Sequence, residues 1–551
     1  MRDFFTLCRW RRIIHDTSAC PPAAGVPADR GRASKQLRPR CPPAISTRIA
    51  ALALPHLDDY FPDWKEREAL AEAMIPLIGR LYRNNVVTYC YGRALHNQSV
   101  TDIMRTHRYV RQVAQNELSE FESFPIIEAM SKLDLGPSHV DVGKLAVRYM
   151  ERMEAGTRQM PLEYAREACA SVIGRKTPPI EKPQDVVLFG FGRIGRLLAR
   201  LLIEKTGGGD QLRLRAVVVR PTSGDDVRKR AALLRRDSVH GAFQGTIRVD
   251  EENSCIIANG NVIRFIYASD RSAIDYRAFG IDNAILIDNT GAWRDEAGLR
   301  EHLASPGIAR VMLTAPGKGA IKNIVSGINS HEVSDADTIL SAASCTTNAI
   351  VPVLKAVHDH WGIEHGHMET VHAYTPDQNL IDNFHKKARR GRSAPLNMVI
   401  TETGASDAVA KLLPALKGRL TGNAIRVPTP NVSLAILNLT LERSITREEA
   451  IDFLRDTALN SSLQRQIDFT GSPEVVSSDL IGNRHACCVD GDATIVDDNR
   501  IVLYVWYDNE FGYSCQVVRV VQKWAGIRYP LIPDDVARTG FEEMRTLVAA
   551  D

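Results

Sequence analysis

"DVVLFGFGRIGRLLARLLIEK", residues 185–205, changes its period halfway. Val186–Phe189 is a continuous apolar run, as a strand buried on both faces requires. From Arg193 onward, Leu197, Leu198, Leu201 and Leu202 recur at helical spacing. Between the two lie Gly190, Phe191, Gly192, Arg193, Ile194 and Gly195, with the glycines spaced GxGxxG. One glycine makes the tight turn, one lets backbone approach a pyrophosphate, and one allows close helix–strand packing. The helix start adds free N–H groups and a partial positive charge. A glycine-rich turn without a ligand is the plainer alternative, but the strand before it and the helix after it favour dinucleotide binding through residues 190–195.

Downstream, "LRAVVV", "NAILID" and "ARVMLT" are short β-rich runs separated by polar or helical stretches, the pattern of a parallel sheet with crossover helices. Beyond residue 365 the runs lengthen to "HMETVHAYT", "NAIRVPT", "VSLAILNLTLE" and "RIVLYVWYD". They predict a second, α+β domain with a mainly antiparallel sheet. The run "LRAVVV" ends at Arg220, where a dinucleotide fold usually places an acid for the ribose 2′-hydroxyl. An arginine there suits a 2′-phosphate, so NADP is favoured over NAD.

Upstream, the proline-rich "KTPPIEKPQ", residues 176–184, reads as a stiff linker. Residues 57–175 read as an all-helical N-terminal region. Leu70, Met74, Leu77, Ile78 and Leu81 keep helical spacing around a kink at Pro76, Ser99 is a candidate cap, and Pro161 and Gly174 bracket a last helix. Residues 1–56 are expected to be a disordered basic tail. Residues 1–50 carry ten Lys/Arg against three Asp/Glu, a surplus of seven, so the other residues sum to −4 of the net +3. The bulk is therefore not basic, which argues against a nucleic-acid partner. No apolar run approaches the roughly 18 residues of a membrane span. Ten scattered cysteines without CxxC or metal-ligand spacing suit a reducing cytoplasm and no metal site. An organellar leader is the alternative reading of the Arg-rich opening.

"SAASCTTNAI", residues 341–350, follows a strand-like run and opens a helical one, which places Cys345 at a helix N-terminus. An isolated cysteine is usually a buried structural residue. Oriented amides at a helix start would instead stabilise a thiolate, the nucleophile suited to an aldehyde. His372, in "METVHAYTPDQ", is the candidate base, one helix and one strand later.

In their order, "LFGFGRIGR", "DSVHG", "NTG", "SAASCTTN", "HAYT", "TETGA", "KLLPALKGRLTGNAIRVPTPNVS" and "WYDNEFGYS" resemble the glyceraldehyde-3-phosphate dehydrogenases over residues 184–527. The resemblance implies an NAD(P)-binding Rossmann domain at 185–343 and a catalytic domain at 344–507. A C-terminal helix returning to the Rossmann domain, then a tail, would fill 508–551. It implies Cys345 as nucleophile and His372 as acid and base. It assigns Ser344, Thr346, Thr375, Thr403, Gly404 and Arg426 to two anion sites, Thr290 and Gly291 to the nicotinamide ribose, and Asn509 to the nicotinamide amide. The implied reaction oxidises a phosphorylated aldehyde through a cysteine thioester to an acyl phosphate, with inorganic phosphate and NAD or NADP; with NADP the reductive, gluconeogenic direction is the alternative. A homotetramer is implied, and long bacterial forms with an N-terminal extension resemble this chain. Two departures stand out. Ala349 replaces a second cysteine, and Asp377 replaces a threonine that often binds substrate phosphate. The second resembles the photosynthetic-type and the erythrose-4-phosphate dehydrogenase branches, the latter being the alternative substrate class. A non-catalytic cofactor-binding sensor is the remaining alternative. "KKARRGRSAPLN", residues 386–397, matches a basic loop near the cofactor and subunit interface.

Overall fold

Short buried strands and amphipathic helices alternate through most of the chain, and four hydrophobic core clusters result among the described residues. The computed structural model describes residues 60–206, 209–221 and 226–534. The expected tail at 1–56 and the end of the chain beyond 534 lie outside the described residues.

The N-terminal region is built on five helices: α1 (Tyr60–Arg83), α2 (Val100–Ala114), α3 (Glu120–Ser131), α4 (Val142–Glu154) and α5 (Pro161–Ala168). In α1, Ala71, Met74, Ile78 and Leu81 form the buried stripe that its spacing predicts, and Pro76 lies inside the helix. Ser99 caps α2 by accepting from the Asp102 amide at 3.2 Å. Pro161 opens α5, where its missing N–H costs nothing.

The region is not purely helical, which corrects the sequence reading. It contains β1 (Val86–Cys90), β2 (Arg93–Ala94) and β3 (Ser138–Asp141), in a sheet ordered β2–β1–β3. A strand from the far end of the chain, Leu531–Ile532, completes the sheet in parallel with β3, and Ile532 is buried in the N-terminal core. These strands are too short to impose a period, and their partners lie up to several hundred residues away. Local pattern cannot report such pairing.

The Rossmann sheet opens with β4 (Gln184–Phe189), followed by α6 (Arg193–Glu204) and β5 (Leu212–Val219). After α7 (Asp226–Arg235) and the hairpin β6 (Arg236–Asp237) with β7 (Gly241–Ala242) come β8 (Ile247–Asp250), β9 (Cys255–Ala258) and β10 (Asn261–Tyr267). Next follow β11 (Ala284–Asp288), α8 (Glu296–Leu303), β12 (Ile308–Leu313), β13 (Lys322–Asn323) and β14 (Ile339–Ser341). The order is β13–β14–β12–β11–β4–β5–β10–β9–β8, parallel except at the β10–β9–β8 edge. All five residues of β11 are buried, as a strand with layers on both faces must be. The strand order reverses between β4 and β11. The switch point of a doubly wound sheet, where ligands bind beyond the strand ends, therefore lies there.

The catalytic domain begins with α9 (Cys345–Trp361) and β15 (Ile363–Ala373). Then come β16 (Val399–Thr401), α10 (Ala405–Leu412), β17 (Leu420–Val427), β18 (Ser433–Leu441), α11 (Arg447–Asn460), β19 (Ile467–Thr470), β20 (Cys487–Asp490), β21 (Ile495–Asp497) and β22 (Arg500–Tyr507). The sheet is ordered β16–β17–β15–β18–β22–β20–β19. It is mainly antiparallel, with β15–β17 and β19–β20 parallel. Helix α9 buries Ile350, Val351, Val353, Leu354 and Val357 against this sheet, each worth about 1.5–3 kcal/mol as an upper estimate. Helix α12 (Phe511–Trp524) leaves the sheet and packs on α6 in the Rossmann core.

Candidate active site

Gly190 follows β4 at φ +99°, a conformation that suits glycine, and an added Cβ there would stand 3.2 Å from the Thr290 methyl. At Gly195 an added Cβ would fall 2.5 Å from the Gly190 carbonyl oxygen, so the helix reaches the turn only without a side chain. Gly192 differs from both. It is the N-cap of α6 and no side chain caps the helix, yet a Cβ there would meet nothing within 4 Å. Its lack of a side chain serves open space, as a turn that receives a pyrophosphate would require. Nearby, Asn289 donates to the Phe189 and Gly190 carbonyls, while its own buried Oδ1 has no partner. These features fit a dinucleotide.

The other expected cofactor contacts fall into two groups. Thr290 and Gly291 follow β11 across the switch point, with Thr290 tied to Asp288 through N–H (2.7 Å) and Oγ1–H (2.6 Å). Phe191 is buried in the Rossmann core and Ile194 packs against it, so each can offer only its backbone amide. The Arg193 guanidinium is engaged by Glu510, at 2.5 Å from Nε, and by Asp237 at 3.4 Å. It braces the turn against α12 and leaves only the backbone to a ligand. Arg220 is exposed at the end of β5, and its carbonyl accepts from Arg230. Asn509 sits just before α12, its Oδ1 accepting from Ser433 Oγ at 2.8 Å, which leaves the amide NH2 to donate elsewhere.

Cys345 is the first residue of α9 and is half-buried, packed against both the Rossmann core and the catalytic core. Ser344 caps the helix, its Oγ accepting from the Thr347 amide at 3.0 Å. Ala343, at φ +56°, sits in the strained left-handed region, and its carbonyl accepts from Tyr513 of α12 at 2.9 Å. Strain immediately before the cysteine is held in place by the returning helix.

The strand β15 brings His372 to the sulfur, with Nε2 3.5 Å from Sγ. Nδ1 lies 2.7 Å from the Ala373 carbonyl and 3.0 Å from Arg426 Nη1; with the proton assigned to Nδ1 for the shorter contact to the carbonyl, the Nε2 lone pair faces Cys345. Arg426 is the direct parallel-strand neighbour of His372. Its Nη1 donates to the Ala373 carbonyl at 3.0 Å and to Thr375 Oγ1 at 3.1 Å, while its buried Nε has no partner. Thr375 in turn donates to Asp377, whose other oxygen takes Arg390 Nη1 at 2.5 Å.

The electrostatics correct one expectation. A helix start alone would depress the thiol pKa. Here burial pushes the Cys345 thiol up, and Arg426 and the Thr346 amide and hydroxyl only partly oppose it. Burial, then the Arg426 charge, lower His372 to about 3. The resting pair is a neutral thiol beside a neutral imidazole. Asp377 is held below the usual carboxylate range by Thr375, Arg426 and Arg390, against the opposing effect of its burial. Arg390, in the basic loop, therefore neutralises the acid that departs from the usual threonine.

Several expected donors have other duties. Ser344 Oγ accepts at the cap and lies 2.6 Å from Thr347 Oγ1. Thr346 Oγ1 lies 3.0 Å from the Tyr507 hydroxyl, which also reaches Thr370 at 2.7 Å. Thr403 and Gly404 precede α10, which packs on α9, and Gly404 is an N-cap without a side-chain bond. Sequence reasoning passed over Tyr507, edge-on to His372 at 5.9 Å, Ser433, which joins Asn509 to the Ala373 amide, and Arg390. Tyr507 is the second residue of the quoted "WYDNEFGYS" segment. Ser433 carried no local signal.

Two family descriptions match the chain: the NAD binding domain of glyceraldehyde 3-phosphate dehydrogenase over residues 184–296, and its C-terminal domain over 344–509. A glyceraldehyde-3-phosphate dehydrogenase-like protein of Pseudomonas aeruginosa (strain UCBPP-PA14) is 62% identical over 463 residues, which is 84% of this chain and all of that protein. The glyceraldehyde-3-phosphate dehydrogenase of Borreliella burgdorferi is 38% identical over 61% of this chain and 97% of its own. The chloroplastic glyceraldehyde-3-phosphate dehydrogenase A of Zea mays is 37% identical over 63% and 83%. The Pseudomonas match is too long for the two dehydrogenase domains alone, so it reaches into the residues before Gln184. With both domains matched in order and the two halves of the site meeting at Cys345, the chain belongs to the glyceraldehyde-3-phosphate dehydrogenase family of oxidoreductases.

Proposed function

We propose that the chain is a phosphorylating aldehyde dehydrogenase acting on glyceraldehyde 3-phosphate, with Cys345 as nucleophile and His372 as acid and base. The observation that carries this reading is the 3.5 Å approach of His372 Nε2 to the sulfur at the start of α9. A neutral imidazole can take the thiol proton as sulfur bonds to the aldehyde carbon, and return it to the developing oxyanion. When bound, the nicotinamide supplies the hydride acceptor. His372 then removes the hydroxyl proton of the hemithioacetal, because a neutral hemithioacetal is a poor hydride donor. Inorganic phosphate attacks the resulting thioester, the acyl phosphate leaves, and Cys345 regains its proton. Arg426, with an unpartnered Nε and a neighbour charge muted by the Asp377–Arg390 pair, is the residue that orients the anions. The helix starts at Cys345 and Ala405, with Ser344, Thr346, Thr375, Thr403 and Gly404, complete the two anion seats.

The cofactor rests on the amides of residues 190–195, with Thr290 and Gly291 beside the ribose and the Asn509 amide toward the nicotinamide. The exposed Arg220 at the end of β5 supports NADP. Self-association is supported by Leu380, Ile381, Phe384, Leu396 and Met398, which are all exposed, Phe384 at 91%, in and beside the basic loop. The test is a matrix of glyceraldehyde 3-phosphate and erythrose 4-phosphate against NAD and NADP, with and without phosphate. Phosphate-dependent reduction of NADP with the triose is the expected result. Phosphate-independent turnover would refute the acyl-phosphate step, and equal cofactor use by Arg220→Asp and the native chain would refute the role of Arg220.

A further inference from the structure

A cavity of about 850 Å³ lies between the N-terminal region and the dehydrogenase body. Tyr89 and His139 come to it from the small sheet, Arg465 from the catalytic domain, and Arg519 from α12. Most charges around it are paired. Arg93 holds Asp468 through two contacts of 2.8 Å, Arg484 holds Glu204 at 2.9 and 2.7 Å, and Arg105 holds Asp102 at 2.8 Å.

Two guanidinium groups differ. Arg519 Nη1 donates to the Arg465 carbonyl at 2.5 Å and to Gln516 Oε1 at 2.7 Å. Arg465 Nη2 donates to His139 Nδ1 at 2.6 Å, and its guanidinium stands 5.1 Å over the Tyr89 ring. Neither meets a carboxylate among the described residues. Burial and the Arg465 charge keep His139 neutral, so it serves Arg465 only as an acceptor. Burial, with a further contribution from Arg465, brings Arg519 down to about 10. Tyr529 stacks on His139 at 4.3 Å, and its buried hydroxyl has no partner. Two partly buried guanidinium groups that line one cavity without a carboxylate partner are unfavourable, and each offers a planar fork that suits an oxyanion. Glu474 and Asp479, exposed at the mouth, disfavour a large polyanion.

We propose that this cavity binds a small phosphate-bearing anion, at a site separate from Cys345, with Arg465 and Arg519 as its anchors. The site needs residues from both the N-terminal region and the dehydrogenase domains, so it gives the extension a task. The proposal is independent of which aldehyde the enzyme oxidises.

The test titrates inorganic pyrophosphate calorimetrically into the full chain saturated with NAD. Besides any occupancy of the anion seats at Arg426, one further site per chain is expected, with affinity falling about tenfold or more in Arg465→Gln, the loss of one charge-assisted contact. Arg426→Gln should keep that site. Absence of binding at millimolar pyrophosphate, or loss in Arg426→Gln with retention in Arg465→Gln, would overturn the proposal. ADP should bind to the same site and adenosine should not. Binding of adenosine as tight as that of ADP would show that phosphate is not what is recognised. Hydrogen exchange on the unaltered chain avoids any folding defect in a variant. Pyrophosphate should protect peptides around residues 464–466 and 516–522, and protection confined to those around Cys345 and His372 would refute the site.

Discussion

Gly192→Ala separates cofactor binding from folding more cleanly than any other change in the site. An alanine Cβ at this position meets no protein atom within 4 Å, and the backbone, at φ −74° and ψ −160°, accepts any L-residue. The protein should therefore keep its stability within about 1 kcal/mol, with the entropy gain of alanine offset by the poorer N-cap. The cofactor should not tolerate the change. A methyl group would occupy the space in which backbone amides of residues 190–195 meet a pyrophosphate. Loss of one or two charge-assisted hydrogen bonds costs about 2–4 kcal/mol, or roughly 30- to 1000-fold in Kd. Titration of NADH or NADPH fluorescence measures the affinity, and thermal unfolding without cofactor measures the fold. Gly195→Ala is the contrast. Its Cβ would lie 2.5 Å from the Gly190 carbonyl oxygen, so the helix must shift, and both affinity and stability should fall, the latter by about 1–3 kcal/mol. If Gly192→Ala bound cofactor within threefold of the native chain, the open space at Gly192 would not be the pyrophosphate seat.

Other consequences follow from the same contacts. Cys345→Ser should reduce turnover by about 10³-fold or more while leaving cofactor affinity unchanged, because a hydroxyl beside a weakly basic imidazole is a poor nucleophile; full activity would end the thioester mechanism. Iodoacetamide should label Cys345 in the cofactor-free protein at a rate that climbs into the alkaline range, since burial raises that thiol; a plateau by pH 6 would contradict the neutral resting pair. In Arg426→Gln the labelling curve should move further to alkaline pH, because the guanidinium is the strongest influence favouring the thiolate. Arg93→Ala should cost about 3–5 kcal/mol in denaturant unfolding, as it strips an ion partner from buried Asp468. The Asp468 pKa is depressed, so its stabilising contribution is complete above about pH 4 and fades as pH falls below the unfolded value. The penalty of Arg93→Ala should therefore shrink in acid, and a penalty that grew there would refute the assignment.

What the sequence alone determined was local. The period change at Gly190–Gly195 and the strand-to-helix change at Cys345 each occupy a dozen residues, so their geometry follows from neighbours in the chain. The order of strands and helices followed for the same reason. Tertiary structure decided everything that depends on residues far apart in sequence. It paired β1 with β3 and placed Leu531–Ile532 beside β3, which built a sheet into a region read as all-helical. It set Arg390 on Asp377 and the Arg193 side chain on Glu510, so that one departure from the family pattern is neutralised and the glycine-rich turn is braced against α12. It also set the protonation of Cys345 and His372, because desolvation depends on every atom packed around them, and outweighs the pull of the helix start that the sequence makes visible.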